Sequence, residues 1–393
     1  MRERAAERHD RLLELVRRHG TARVSDLAGL LGVSPVTARR DAEALAAKGL
    51  LERVHGSVSW PADASVPGQR PAGLVLGLLA PSATYYFAEV IRGAHEAAAQ
   101  AGARLILRIS DYRPEEDRAR VEGLLAAGAQ GLLVAPGWRR PQDPAQYGEW
   151  VARLPVPAVL LERQPAPGSP LDGLDRVCSD HAYGTLLAVR HLVGLGHGAP
   201  VLVARADSPT ALSVRAGYAA ALGSLGLAAP RDAIDSVPAE LDPEGFEAAV
   251  RNVCAAVAQG ATAALVHNDV DAIQIVQRLA ELGVRVPEDL AVVAYDDEVA
   301  ALADTPLTAV APPKREVGRH AAELLVERLG ERPGERPGGG DSARRHLALL
   351  PRLRVRASCG AGGASAGAAG AAGAAGAAGA AGAAGRVLGT ASA

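Results

Sequence analysis

The stretch VSDLAGLLGVSPVTARRDAEALAAKGLLERVHGSV, residues 24–58, carries the local signals of two helices, a tight turn and a hairpin. Its leucine spacing predicts a short helix over about 25–31. Gly32-Val33 makes a tight turn, and Ser34-Pro35 is a strong helix start, with Ser as N-cap and Pro at the first helical position. We expect that second helix to run to about Lys48, where Gly49 ends it. His55-Gly56-Ser57, between two apolar runs, predicts a hairpin.

An earlier apolar stretch, LLELV at 12–16, predicts one more helix before the stop at His19-Gly20. Residues 1–60 therefore predict three short helices and a β-ribbon. Two helices joined by a three-residue connection with a glycine have the geometry of a helix-turn-helix, whose second helix lies in the DNA major groove. The sequence thus predicts a DNA-binding domain over 1–60.

The N-terminal half of the second helix would carry the DNA contacts. Arg39 and Arg40 point about 100° apart, so that one can bind guanine while the other binds a phosphate. Ser34 and Thr37, with the free N–H groups of the helix start, suit a backbone phosphate. The hairpin tip would act as a wing. The predicted DNA-binding residues are Ser34, Val36, Thr37, Arg39, Arg40 and His55.

The distribution of charge along the chain supports a DNA-binding domain in residues 1–60. The whole chain has a formal net charge of −2, whereas residues 1–60 hold eleven Lys and Arg against eight Asp and Glu. A local basic excess indicates where a polyanion would bind. The alternative is a helical bundle in which the adjacent arginines form only a solvated face.

The stretch around VS-T-RRD, with its terminating glycine and the R-V-H-G hairpin, resembles the DeoR-type winged helix-turn-helix over about residues 8–60. It departs from that pattern at Ser57, where a second glycine is usual, and at Ala38, where isoleucine is common. The resemblance implies double-stranded operator DNA as a partner.

A different pattern begins after the Pro-rich segment 61–72, which we interpret as a linker. Apolar runs alternate with helical stretches of ten to fifteen residues, and buried strands separated by helices predict parallel sheets covered on both faces. The strands are too many for one compact sheet, and the alternation of strands and helices begins again near residue 178. Two α/β lobes are therefore expected. The predicted strands are 75–79, 105–109, 131–135, 158–161, 201–204, 263–267 and 290–294, with a last strand expected over 346–355.

Residues 73–357 resemble the LacI-type effector domain, a fold shared with periplasmic sugar-binding proteins. The matching segments include GLVLGLLAPSATYYFAEVIRGAHEAAAQAG, SDHAYGTLLAVRHLVGLGH and ALVHNDVDAIQIVQRLAELGVRVPEDLAVVAYDDEVAALADTPLTAV. The fold class expected for the chain is α/β, a winged helix-turn-helix plus a type I, two-lobed periplasmic-binding-protein-like domain. We expect one lobe to comprise about 73–163 and 306–330, and the other about 164–305 and 341–357. The Ala/Gly-rich segment 358–393 predicts a disordered tail.

Ligands of α/β sheets bind at the carboxyl ends of the strands. At these strand ends, Arg215 would supply a fork of hydrogen-bond donors for vicinal hydroxyls. Asp296 would supply acceptors, and Asn268 would supply both donors and acceptors. Tyr86 and Phe87 could stack on a sugar ring, and the resemblance places Glu162 at the cleft. The alternatives are a surface role for Arg215, a capping role for the strand-end aspartates and core packing for the two aromatic residues. The predicted effector-binding residues are Tyr86, Phe87, Glu162, Arg215, Asn268 and Asp296.

Several functional classes are disfavoured by what the sequence lacks. The three cysteines show no metal-type or redox-type spacing, and no metal ion or other cofactor is expected. No nucleophile elbow or phosphate-binding loop is present, so we expect a protein that is not an enzyme. The charged N-terminus is no signal peptide, and no apolar run reaches membrane-spanning length, so we expect a cytoplasmic protein.

Together these features predict a transcription regulator, by default a repressor, whose operator binding responds to a sugar-like effector. Family resemblance and the two-fold symmetry of operators imply a homodimer. The segment 61–72 stands where LacI-type proteins have a hinge helix, so coupling between the domains must work differently. The alternative is a sugar-binding protein or sugar-acting enzyme whose N-terminal helices do not bind DNA.

Overall fold

The computed structural model describes residues 8–9, 11–13, 15–16, 21–47, 52–54, 57–59, 73–139, 143–228, 232–330 and 343–361. The predicted wing tip His55, the linker 61–72 and the tail beyond residue 361 lie outside these residues. The chain divides into two compact units, with the boundary near Gly73.

The first unit combines helices with a small antiparallel sheet of order β1-β3-β2. The sequence pattern missed the first strand, which is three residues long and too short to show periodicity. It pairs with the hairpin and closes the sheet. The elements are β1 (Thr21–Arg23), α1 (Val24–Leu31), α2 (Pro35–Ala47), β2 (Glu52–Val54) and β3 (Ser57–Ser59).

A single apolar core holds this unit together. Leu12 and Val16, which lie on helical backbone N-terminal to β1, pack with Leu27 of α1 and Leu45 of α2. All four side chains are almost fully buried. Because α2 turns its apolar residues toward this core, most of its polar residues are left on the other side.

The first sheet of the second unit is entirely parallel and has the order β14-β8-β7-β6-β4-β5. Central strands such as β4 are buried along their whole length, as expected for a sheet covered on both faces. We call this sheet and the helices packed on it the first lobe. Its strands are β4 (Val75–Ala80), β5 (Arg104–Ile109), β6 (Gly131–Val134), β7 (Ala158–Leu161), β8 (Asp175–Ser179) and β14 (His346–Leu349).

The second sheet, the centre of the second lobe, has the order β10-β9-β11-β12-β13-β15. Its first five strands are parallel, and only β15 runs antiparallel to its neighbour. The predicted two-lobed α/β architecture with parallel sheets is confirmed. The strands are β9 (Val201–Arg205), β10 (Ile234–Ser236), β11 (Ala263–His267), β12 (Ala291–Tyr295), β13 (Thr308–Ala311) and β15 (Arg352–Arg354).

The helices connect these strands. They are α3 (Tyr86–Gln100), α4 (Pro114–Ala126), α5 (Asp143–Tyr147), α6 (His181–Gly194), α7 (Pro209–Ser224), α8 (Pro243–Ala258), α9 (Asp269–Glu281) and α10 (Lys314–Gly330). Short 3-10 turns occupy Glu149–Arg153, Ala300–Leu302 and Ala357–Cys359. In the first lobe α3 and α10 approach so closely that a Cβ on Gly93 would lie 1.9 Å from the Arg315 carbonyl oxygen.

The lobe division predicted from sequence is wrong in three places. Strand β8 lies within the span 164–305 assigned to the second lobe, but it pairs with β7 and extends the first sheet. Strand β13 lies within 306–330, assigned to the first lobe, yet it pairs with β12 in the second sheet. Strand β14 lies within 341–357, assigned to the second lobe, yet it pairs with β8. Strand pairing is non-local, so the position of an apolar run along the chain does not determine its sheet.

Two expectations about the C-terminal segment are also corrected. The single strand expected over 346–355 is two strands in different sheets, since Leu350-Pro351 carries the chain from β14 to β15. Ser358 and Cys359, assigned to the disordered tail, are buried in the second lobe. The Ser358 hydroxyl donates to the carbonyl oxygen of Val292 at 2.6 Å and accepts from the Thr308 N–H at 2.8 Å.

Candidate functional site

The turn between α1 and α2 has the geometry of a helix-turn-helix. Gly32 follows α1 with a φ of 66°, a left-handed conformation that glycine adopts without strain. Ser34 then caps α2, accepting a hydrogen bond from the Thr37 N–H at 3.2 Å, and the two hydroxyls lie 2.9 Å apart. The Ser34 hydroxyl is therefore engaged in capping, and a phosphate contact at this point would use the same helix start.

The predicted DNA-binding face of α2 points to solvent. Val36 is 62% exposed, and Arg39 and Arg40 are exposed as well, whereas Ala38 between them is fully buried. Within the described part of the chain, neither arginine forms an ion pair. Both guanidinium groups are thus available to a partner. The role of these residues in DNA binding stays a prediction.

Asp41, which the sequence interpretation did not single out, anchors α2 from the opposite face. Its carboxylate lies 2.5 Å from Arg8 Nε and 3.1 Å from His9 Nε2. The Arg8 hydrogen bond, opposed by burial and reinforced by His9, holds the pKa of Asp41 below its ordinary value. The triplet R-R-D at 39–41 could have suggested this arrangement, in which the two arginines face solvent and the aspartate faces the protein.

In the second unit, the predicted effector residues follow the carboxyl ends of the strands. Tyr86 and Phe87 begin α3 beyond β4, and Glu162 follows β7. Asn268 and Asp296 follow β11 and β12 in the other lobe. The two sheets thus present their strand ends to a common cleft, as the sequence interpretation expects.

Glu162 is the centre of a buried network. Its Oε1 accepts from the Tyr86 hydroxyl at 2.7 Å and from the Ser179 hydroxyl at 2.8 Å, and its Oε2 accepts from the Ser179 N–H at 3.0 Å. His181 of the second lobe lies 3.7 Å from Oε2. Burial alone would raise the pKa of Glu162, but His181 and these hydrogen bonds hold it below its ordinary value. Glu162 is therefore a buried carboxylate that already accepts three hydrogen bonds from the protein.

Asp296 has the opposite character. Burial, only partly opposed by Lys314, raises its pKa to about 7. One carboxyl oxygen, Oδ1, has no hydrogen-bond partner among the described residues. The other lies 3.4 Å from the Tyr85 hydroxyl and 4.0 Å from His267 Nε2, and burial lowers the pKa of His267 to about 3. An unpaired, buried carboxyl oxygen at a strand end suits a hydroxyl donor.

Asn268 and Tyr85 complete this side of the cleft. The Asn268 side chain accepts from the Asp271 N–H at 3.2 Å and so caps α9. Tyr85, which the sequence interpretation missed, donates a hydrogen bond to Asp269 across the lobes. No sequence pattern marks it, because the adjacent Tyr86 and Phe87 have the same aromatic character.

Phe87 and Arg215 are engaged inside the protein. Phe87 is 4% exposed and packs edge to face on Tyr86, so in this structure it is a core residue. Arg215 donates to the Ala204 carbonyl oxygen and to Asp235, both at 2.6 Å. Both bonds come from Nη2, so only this nitrogen of the fork has acceptors among the described residues, and the effector contact predicted for Arg215 stays a prediction.

A cavity of about 470 Å³ opens between the lobes, and we call it the interlobe cavity. This size is ordinary for a small-molecule site. Of the predicted effector residues, only Glu162 lines it. The residues lining it are Trp138, Arg139, Ala145, Glu149, Glu162, Arg163, Gln164, Ala166, Ser169, Pro170, Leu171, Cys178, His181, Pro209, Thr210, Leu212 and Ser213.

An ion pair joins the lobes at this cavity. Arg139, which follows β6, donates to Asp207 of the second lobe at 2.8 Å. Its guanidinium also lies 4.5 Å from the centre of the Tyr112 ring. Asp207 in turn accepts from Arg205 at 2.9 Å. Arg139 and Asp207 lie on different lobes, so the distance between them depends on the separation of the lobes.

Two further features bear on the class of protein. Over the described residues, no three His, Cys, Asp or Glu side chains are grouped so that they could hold a metal ion. None of the described helices combines the length and apolarity that crossing a bilayer requires.

Comparisons with known proteins agree with this geometry. Residues 8–63 match the model of the DeoR-like helix-turn-helix domain, and residues 189–359 match that of a periplasmic binding protein-like domain. The HTH-type transcriptional repressor PurR of Vibrio atlanticus is 27% identical over 317 residues, which cover 78% of this chain and 92% of that protein.

Solved structures share the fold of the second unit. A LacI family transcriptional regulator from Silicibacter pomeroyi superposes with a TM-score of 0.59 at 23% identity, covering 73% of this chain and 99% of that one. The transcriptional regulator CelR in complex with cellobiose gives 0.58 at 26% identity, covering 83% and 91%. The chain is therefore a transcription regulator that joins a DeoR-like helix-turn-helix domain to a periplasmic binding protein-like domain.

Proposed function

We propose that this chain is a homodimeric repressor that works in the cytoplasm. It binds operator DNA through α2, and a sugar-like effector binds between its lobes. The observation that carries the proposal is the pair of exposed arginines, Arg39 and Arg40, on a helix whose opposite face is anchored through Asp41. The names of the relatives, PurR and the cellobiose-bound CelR, support repression and a small-molecule effector.

The proposed coupling follows from the cleft. A ligand that binds better when the lobes are close shifts the equilibrium toward that state. The Arg139–Asp207 ion pair and the Tyr85–Asp269 hydrogen bond both join the lobes, so these two contacts favour the closed arrangement even without a ligand. In a dimer, closure would change the separation of the two DNA-binding domains. We propose that residues 61–72 transmit this change as a linker and that the protein acts by binding, without catalysis.

The test of DNA binding uses the full chain and DNA selected by it from a random pool. Arg39→Ala and Arg40→Ala should each weaken binding by about 1–3 kcal/mol if the residue contacts a base. A phosphate contact should instead lower the slope of affinity against salt by about one. Arg118→Ala, an exposed arginine of the first lobe, is the control. Wild-type affinity in both α2 variants would reject α2 as the recognition helix.

The test of the sensor is a titration of sugars onto the protein–DNA complex. Release of the DNA by at least one sugar is the expected result, and it would also determine the sign of regulation. If no sugar, sugar acid or sugar phosphate changes operator affinity while the DNA binding itself is specific, the sensory half of the proposal fails and the DNA-binding half survives.

A further inference from the structure

Arg163, directly after β7, places a buried positive charge on the wall of the interlobe cavity. Its side chain is 5% exposed, and no described carboxylate lies within ion-pair distance. Nε and Nη2 donate to the carbonyl oxygen of Pro136 at 2.8 and 2.5 Å, and Nη1 donates to that of Glu162 at 2.8 Å. A guanidinium has five N–H donors, so two of them remain without an acceptor among the described residues.

The nearby carboxylates do not supply that acceptor. Both carboxylate oxygens of Glu162 accept hydrogen bonds from Tyr86 or Ser179. Asp117 accepts from the Gly137 N–H at 2.8 Å and is not part of the cavity wall. A buried charge without a paired counterion is costly, so an anionic ligand that supplied this counterion would be stabilised at Arg163.

Two more donors of this cavity lack partners. Trp138 is 3% exposed, and its indole Nε1 has no acceptor among the described residues. The hydroxyl of Ser169 is likewise buried and without a described partner. Both residues line the interlobe cavity. With Arg163, the wall therefore carries buried donors that no described residue uses.

We propose that the effector is an organic anion, such as a sugar acid or a sugar phosphate, whose carboxylate or phosphate binds Arg163 in the interlobe cavity. This inference rests on the proposed function and specifies its ligand. Trp138 and Ser169 complete the donor set. Apolar residues of the wall, among them Leu171 and Leu212, contact the rest of the molecule.

The experiment is a thermal-shift and calorimetry panel on the full chain. The panel holds matched triplets of neutral sugar, sugar acid and sugar phosphate: glucose, gluconate and glucose 6-phosphate, then ribose, ribonate and ribose 5-phosphate. Binding confined to anionic members supports the proposal, and the member of each triplet that binds distinguishes carboxylate from phosphate.

The other outcomes separate two failures. Binding of neutral sugars in preference to their anionic counterparts overturns the anion inference and leaves the proposed sensor standing. Absence of binding by every member, in a chain that still binds its DNA, overturns the sensory part of the proposed function together with this inference.

Variants then test the residues. Arg163→Lys keeps the charge but loses the planar fork, and it should weaken the anion at least tenfold. Ser169→Ala and Trp138→Phe each remove one donor and should weaken binding of the anion severalfold. Trp150→Phe, in the same lobe but outside the cavity wall, is the matched control. Equal anion affinity in wild type and Arg163→Lys, with Ser169→Ala also unchanged, overturns the assignment.

Discussion

The hydroxyl of Tyr85 in the first lobe donates a hydrogen bond to the carboxylate of Asp269 in the second. The other oxygen of Asp269 accepts three backbone N–H groups, those of Glu298, Val299 and Ala300, at 2.6, 2.6 and 3.0 Å. Burial raises the pKa of Tyr85, so the phenol stays protonated and remains a donor. One tyrosine thus connects the first lobe to a well-ordered carboxylate in the second.

Removing the Tyr85 hydroxyl should weaken the contact between the two lobes. For Tyr85→Phe we expect the free energy of unfolding to fall by about 1.5–3 kcal/mol, the usual cost of losing a hydrogen bond to a charged group. Urea unfolding measures the change. Tyr183→Phe is the control, because the Tyr183 hydroxyl makes no hydrogen bond with the described residues. Equal stability of the two variants would show that the contact contributes nothing.

Asp296 should make stability depend on pH in a specific direction. Burial raises its folded-state pKa to about 7, whereas an unfolded aspartate titrates near 3.9. A raised pKa means that the stabilisation is complete below about pH 4 and is lost as the pH rises through 7. Relative to wild type, Asp296→Asn should therefore gain stability between pH 4 and 8, by a few kcal/mol at most.

Urea unfolding at a series of pH values measures this difference. Tyr183→Phe retains the Asp296 carboxyl and removes a hydroxyl that makes no hydrogen bond with the described residues, so it should keep the wild-type dependence on pH and is the control. A stability difference between Asp296→Asn and wild type that stays constant from pH 4 to 8 would contradict a raised pKa for Asp296.

Much of the fold was predictable because buried parallel strands are continuous apolar runs. Runs such as 75–79 and 263–267 were identified on that basis and are strands. Strand β8, with the sequence DRVCS, was missed because it begins with two charged residues. Its Asp175 forms a buried pair with Arg328 at 2.8 Å, and that partner lies 153 residues away. No local pattern can show that a polar segment is buried by such a distant counterion.

The site was predictable only in part, for a related reason. Strand ends locate the cleft, so Tyr86, Glu162 and Asp296 could be selected from sequence. The acceptors that a side chain finds are set by tertiary contacts, and Arg215 reaches Asp235 instead of the interlobe cavity. Arg163 went unnoticed beside Glu162, because nothing local shows that its charge is buried without a counterion.

The close approach of α3 and α10 gives a prediction about packing in the first lobe. A Cβ at Gly93 would lie 1.9 Å from the Arg315 carbonyl oxygen, a backbone atom that cannot rotate away. Gly93→Ala should therefore separate the helices and lower the free energy of unfolding by about 3 kcal/mol or more. Urea unfolding of the full chain measures the effect.

Gly123→Ala is the matched control on α4. The atom nearest to the added methyl group would be Arg108 Nε at 3.8 Å, an ordinary contact with a flexible side chain. Alanine favours the helix over glycine by up to about 1 kcal/mol, so this variant should be as stable as wild type or slightly more so. A Gly93→Ala chain as stable as Gly123→Ala would mean that the two helices are not in contact.

Asp41 should couple the stability of α2 to DNA affinity. Its carboxylate ties α2 to Arg8 and His9, so Asp41→Asn should loosen the helix that carries Arg39 and Arg40. We expect the free energy of opening of α2 to fall by about 1.5–3 kcal/mol, and DNA affinity to fall severalfold. Hydrogen exchange of the peptide 35–47 in the full chain measures the first quantity, and titration with selected DNA measures the second.

The pH dependence of this variant gives a second, independent check. The Arg8 hydrogen bond holds the pKa of Asp41 below its ordinary value, so its stabilisation is present above about pH 4 and is lost as the pH falls through the lowered pKa. The difference between wild type and Asp41→Asn should therefore shrink in acid. Asp304→Asn, an exposed aspartate of the second lobe, is the control and should leave exchange in α2 unchanged. If Asp41→Asn at neutral pH leaves both exchange and DNA affinity at wild-type values, Arg8 and His9 do not anchor α2, and the arginines must be positioned by the apolar core alone.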